Sequence, residues 1–190
     1  MIARIIQEAT DAIAAAVNGV DNILDALTGA VKGQVINVIQ GAGEVGGSTV
    51  EAIASVASGA IKGVGSVGGT LADTAFTTMS GVVKGASQVG SDVISAVKGG
   101  AQGIVQGAAD TGGDIGTAAV SAVQGAIKAA GDVGADTSEA AKAAVGGALN
   151  AATSVGGDAV NTVRSALLSA AALPRDVIES AIKGSEDKKD

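Results

Sequence analysis

The side chains best suited to covalent or metal chemistry are missing from this sequence, which has no cysteine and no histidine in 190 residues. That removes disulfides, thiolate and imidazole metal ligation, and every Ser-His or Cys-His nucleophile pair. Carboxylates remain, but acid–base catalysis needs a pocket that perturbs their pKa, and stretches of small residues offer none. The phosphate-loop pattern Gly-x-x-x-x-Gly-Lys-Ser/Thr does not occur. Gly63-Val-Gly65-Ser-Val-Gly68 matches the dinucleotide pattern GxGxxG, yet no strand pattern precedes it. No catalytic residue, cofactor site or metal site is expected, and the chain reads as a non-enzyme. The spacing left over suits packing: Gly59/Gly63, Gly81/Gly85 and Gly103/Gly107 are GxxxG pairs, which let helix backbones approach closely.

The element that would carry these pairs is a 22-residue repeat, its blocks opening with Gly59-Ala-Ile-Lys62-Gly, Gly81-Val-Val-Lys84-Gly, Gly103-Ile-Val-Gln106-Gly and Gly125-Ala-Ile-Lys128-Ala. Each runs on to Val67-Gly-Gly-Thr70, Val89-Gly-Ser-Asp92, Thr111-Gly-Gly-Asp114 or Val133-Gly-Ala-Asp136, and eight such windows tile Ala15 to Asp190 without an insertion. A period of this length marks a repeat architecture. The repeat is two elevens, and eleven residues make three helical turns, so a helix keeps its apolar stripe on one face. That face is Ile39, Ile61, Val83, Val105, Ile127 and Leu149 with Val45, Val67, Val89, Val133 and Val155; Ile53, Val97, Ala119, Ala141 and Val163 adjoin it. The opposite arc carries Gln40, Lys62, Lys84, Gln106, Lys128 and Asn150, a solvated polar column.

The expected fold class is therefore all-α, built of Gly/Ala/Val-rich amphipathic repeats. Two forms are open. Unbroken apolar phase across each glycine pair favours long, near-straight helices. Val-Gly-Gly followed by Ser, Thr or Asp also fits a helix end and a new start, with glycine in the left-handed C′ position and the hydroxyl or carboxylate as N-cap. Ser48…Glu51 and Asp136…Glu139 have capping-box spacing. This second form is a zigzag of ~20-residue helices, each about 30 Å long. A β-solenoid is disfavoured by the absence of alternation and by the abundance of alanine.

Glycine sets the energetic problem. One inside a helix costs about 0.8–1 kcal/mol relative to alanine, and the chain has 30. The total rivals a whole domain's net stability of about 5–15 kcal/mol, so the repeat is expected to act only against a partner surface. The ends depart from the pattern. Residues 1–36 read as a leader helix, its apolar positions running from Ile2 towards Ile39. Residues 37–168 are the repeat body, and 169–190 a capping helix begun at Leu173-Pro174 and ended at Gly184, with a charged tail.

Net charge is −7, with no basic stripe, so nucleic acid is not an expected partner. Lys, Asp or Glu recurs too often for a transmembrane helix, and Met1-Ile-Ala-Arg4-Ile-Ile-Gln-Glu8 lacks the apolar run of a signal peptide. A cytoplasmic location is the default expectation.

Ser80-Gly-Val-Val-Lys-Gly, Gly103-Ile-Val-Gln-Gly-Ala-Ala-Asp-Thr and Ala122-Val-Gln-Gly-Ala-Ile-Lys resemble the 11-residue-based repeats of perilipins, especially those of the perilipin 4 type. More loosely, they are similar to synucleins and group 3 late-embryogenesis proteins. The resemblance spans roughly Gly29 to Leu168, although this chain is more acidic and richer in glycine. It implies a chain that becomes helical on lipid droplets, membranes or drying surfaces. The expected role is a structural protein that self-assembles, copy against copy, into a coat, tube or filament. The alternatives are a lipid-surface coat and a desiccation or cold protectant.

Overall fold

The computed structural model describes residues 23–42, 47–65 and 70–186. Among them are eight α-helices and no strand: α1 Ile23–Ala42, α2 Gly47–Gly65, α3 Leu71–Gln88, α4 Val93–Asp110, α5 Ile115–Asp132, α6 Thr137–Val155, α7 Ala159–Ser169 and α8 Arg175–Glu186. The chain is all-α, as expected. Of the two helical forms, the broken one is found; the continuous helix favoured by the apolar phase is not. The leader-helix expectation lies outside the described residues over 1–22, and α1 runs through its far end. None of the described helices is long and apolar enough to cross a membrane.

The three breaks between α3 and α6 share a local cause. Val89-Gly-Ser-Asp92, Thr111-Gly-Gly-Asp114 and Val133-Gly-Ala-Asp136 form the same four-residue turn. Gly90, Gly112 and Gly134 adopt φ of 67°, 71° and 76°, the left-handed region that costs glycine nothing extra. This lets the Ser91 N–H reach the Ala86 carbonyl at 3.0 Å and the Gly90 N–H reach Ser87 at 3.1 Å, the paired bonds of a Schellman end. The same pairs recur at Gly113–Ala108 with Gly112–Ala109, and at Ala135–Ala130 with Gly134–Gly131. The following helix opens on a carboxylate. Asp92 Oδ1 accepts from Ile94 N (2.9 Å) and Ser95 N (3.2 Å), and Asp114 Oδ1 from Gly116 N (2.8 Å) and Thr117 N (3.1 Å). Asp136 accepts from Glu139 N at 2.9 Å, and Thr70 from Asp73 N at 3.1 Å.

Turns this short force consecutive helices antiparallel. Each helix then packs most extensively against a helix two places away, with which it runs parallel. Odd-numbered helices form one layer and even-numbered helices the other, a two-layer solenoid. The core lies between and within the layers and is mostly alanine and valine; Leu27, Ile53, Met79, Ile104, Leu167 and Ile178 are its largest fully buried side chains. At the C-terminal end α7 and α8 are shorter, and Asp158 makes no side-chain cap bond. Gly184 lies inside α8, which continues to Glu186, so it does not end that helix.

The caps make stability depend on acid. Asp92 titrates below the usual carboxylate value chiefly because the Ser95 hydroxyl bonds to it, with partial burial opposing. Asp114 does so chiefly through the Thr117 N–H, against the same opposition. A lowered folded-state pKa contributes stability that is full above the unfolded value and lost as pH falls through the folded one. The urea midpoint should therefore hold from neutrality to about pH 5 and drop below about pH 4. An Asp92→Ala/Asp114→Ala variant should start about 1–3 kcal/mol lower, at roughly 1 kcal/mol per cap, and lose less over the acid interval. Equal acid sensitivity in both proteins would contradict this role for the caps.

Candidate functional site

The feature most often repeated in the fold is the contact between parallel helices of one layer, and glycine makes it. A Cβ built on Gly99 would stand 2.5 Å from the Val50 carbonyl oxygen, one on Gly107 3.0 Å from Ser58 Cα, and one on Gly125 2.8 Å from the Phe76 carbonyl oxygen. On Gly103 and Gly147 it would collide outright with the carbonyls of Ala54 and Lys98. Each of these partners precedes its glycine by the same interval along the chain, so α2/α4, α3/α5 and α4/α6 share one register. Gly81 and Gly85 of α3 meet α1 similarly, at the Val31 side chain (2.8 Å) and the Lys32 carbonyl (3.0 Å). Carbonyls lying over glycine Cα atoms are the arrangement in which Cα–H···O contacts form.

The contact has a direction. From α3 to α6 the later helix supplies the glycine and the earlier one the ridge. At the α5/α7 end this reverses: Gly116 of α5 faces Ala166 of α7, whose Cβ would be 2.9 Å from a Cβ on the glycine. At the other end of the odd layer, Gly29, Gly33 and Gly41 of α1 have nothing within 4 Å of an added Cβ. Gly41 precedes Gly85 by one full layer repeat, and so holds the same place in α1 that Gly85 holds in α3.

The proposed close-packing glycines fall as follows. Gly81, Gly85, Gly103 and Gly107 sit at interhelical contacts, and Gly59 and Gly63 are buried in α2. Gly99 forms a further GxxxG pair with Gly103, whereas the pattern does not point to Gly125 or Gly147. The repeat column Gly59, Gly81, Gly103, Gly125, Gly147 does mark the last two. Of the proposed apolar face, Ile39, Ile61, Val83, Val105 and Leu149 are buried and Ile127 is partly buried. That face is turned towards other helices of the same chain. Val89 and Val133 sit at helix C-caps, half-buried against the core, and Val155 is 41% exposed; Val45 and Val67 lie outside the described residues. These valines end helices instead of extending the stripe, because the turn intervenes.

Between α2 and α4 the outer rim carries one ion pair, Lys62 Nζ to Asp110 Oδ2 at 2.7 Å, with Gln106 Nε2 donating to the other carboxylate oxygen at 2.8 Å. Lys62 is the main reason Asp110 titrates below the usual carboxylate value. Both side chains are more than a third exposed, so the pair adds little stability. No group of three or more His, Cys, Asp or Glu among the described residues is placed to hold a metal ion.

No protein-family model matches the chain, and no curated protein matches it. The fold is similar to the crystal structure of a de novo designed helical repeat protein, DHR7. The TM-score is 0.53 at 17% identity, over 100% of this chain and 99% of that one. The likeness establishes the architecture alone: this is a helical repeat protein.

Two glycine substitutions should act with opposite sign. Gly103→Ala puts a methyl into the Ala54 carbonyl and should destabilise by about 1–3 kcal/mol despite alanine's better helix propensity. Gly33→Ala, with free space around it, should stabilise by up to about 1 kcal/mol. Urea denaturation followed by circular dichroism measures both, and matching signs would refute the close-contact account.

Proposed function

We propose that the protein is a non-catalytic structural protein that assembles with copies of itself through the glycine-faced helix contact used between its own repeats. The observation that supports this reading is the open face of α1. Gly41 has the register position of Gly85, yet among the described residues nothing lies within 4 Å of a Cβ built on it, or on Gly33 and Gly29 two and three turns before it. A helix ridge from a second copy meets there the kind of glycine surface that α3 presents to α1. Most of the described apolar arc is buried inside the chain, so the contact between copies rests on backbone proximity and not on a large apolar patch.

The lipid-coat reading asks more of this fold. Among the described residues Val155 is the only large apolar side chain that is exposed. Insertion at an interface would require the two layers to part.

Sedimentation velocity with circular dichroism separates the readings. The full chain should be helical without lipid and shift to larger species as its concentration rises. Gly33→Leu/Gly41→Leu should keep the helicity and lose the large species, because both sites have room for a side chain within the monomer. A chain that stays monomeric throughout, or a variant that assembles unchanged, would overturn the proposal. Helicity that appears only on adding neutral-lipid emulsion would favour the coat.

A further inference from the structure

The outer face of the even layer carries a trough above α6, walled by α4 and α8, with a volume of about 590 Å³. Its floor is the outward strip of α6, where Ala143 and Gly146 leave the backbone nearly bare. A Cβ on Gly146, or on Gly184 in the α8 wall, would meet nothing within 4 Å. Ile94 and Ala181 supply the apolar part of the walls, with Ser180 on α8 and Asn150 on α6 as neutral polar neighbours.

Two cations border this apolar floor. Lys98 of α4 and Lys142 of α6, on neighbouring parallel helices, both line the trough. Both are exposed, and neither side chain takes part in an ion pair or hydrogen bond among the described residues. Glu139, one helical turn before Lys142, is the single carboxylate in the lining. It offsets one of the two positive charges, so the trough is net positive in a chain whose overall charge is −7.

The ligand class follows from these groups. No aromatic side chain lines the trough, so a nucleobase has nothing to stack on. One carboxylate is too few for a divalent cation, which takes six or more oxygen ligands. The volume lies within the roughly 300–1,000 Å³ of small-molecule sites, which pair an apolar lining with a few placed polar groups. An apolar trough with a cationic rim matches a linear molecule carrying one negative head. We propose that it binds an anionic amphiphile, an alkyl carboxylate or alkyl phosphate, with the head between Lys98 and Lys142 and the chain over Ala143 and Gly146. The site is independent of the assembly face on α1.

Calorimetric titration of the full chain tests this at low salt and at a protein concentration where sedimentation shows a single species. The probes are monomeric dodecanoate and, separately, phosphatidylglycerol–phosphatidylcholine vesicles. Dodecanoate should bind saturably at one site, roughly tenfold more weakly in Lys98→Gln/Lys142→Gln, and not at all in Gly146→Leu, where the new side chain fills the floor. Circular dichroism should be unchanged in both variants. Absence of saturable binding, or equal binding by all three proteins, would overturn the proposal. So would binding to vesicles alone, which would locate the affinity in a bilayer surface and not in the trough.

Discussion

Everything in this fold depends on helices that touch backbone to backbone. Where Gly103 lies against the Ala54 carbonyl, or Gly147 against that of Lys98, no side chain stands between the two helices. A glycine that weakens its own helix by about 1 kcal/mol thereby brings a whole neighbouring helix into range. The return is collective: many weak dispersion contacts and Cα–H···O interactions gained along the crossing. Alanine and valine suffice for the core because the gap to fill is thin. The near absence of aromatic residues is thus a consequence of the spacing between helices, not a deficit compensated elsewhere.

This contact supplies, within one chain, the partner surface that the glycine content demands. The partner is the repeat two helices away. A glycine that costs stability in an isolated helix is neutral or favourable once a carbonyl ridge occupies the space its side chain would have filled. The sense of each glycine is set by its neighbours, as the contrast between Gly103 and Gly33 shows: the same residue in the same secondary structure, one crowded and one open.

The turns were legible in the sequence, and the layer contacts were not. Left-handed glycine followed two residues later by a capping carboxylate is a local rule, and Gly90-Ser-Asp92, Gly112-Gly-Asp114 and Gly134-Ala-Asp136 follow it. The apolar phase pointed the other way, towards continuous helices, because each eleven-residue half of the repeat closes three helical turns. In the folded chain the period instead measures a helix of 18 residues and the short turn that follows it. The agreement with helical winding is a coincidence of length. That is why Val89 and Val133 keep the phase of the stripe yet sit at helix ends. The offset shared by the α2/α4, α3/α5 and α4/α6 contacts, as from Ala54 to Gly103, has no local signature at all. It combines two repeats, fixed by the alternation of layers, with a further shift of little more than one turn, fixed by how the helices nest.

Directionality is the last consequence of the same contact. An interface in which one side always gives glycine and the other a ridge is heterologous: its two faces differ, so it cannot satisfy itself by two-fold symmetry. Within the chain it propagates from α1 to α6 and stops where α7 and α8 shorten and the glycine changes sides at Gly116. The contact between copies proposed for the α1 face would inherit this asymmetry, and a heterologous contact grows into a ring or a filament according to the rotation per step. The reversed end at α7 offers a different ridge from those of α1 to α4, so the step between copies need not equal the step between repeats. The small geometry of that one junction, more than the regular body, would then set the form of the assembly.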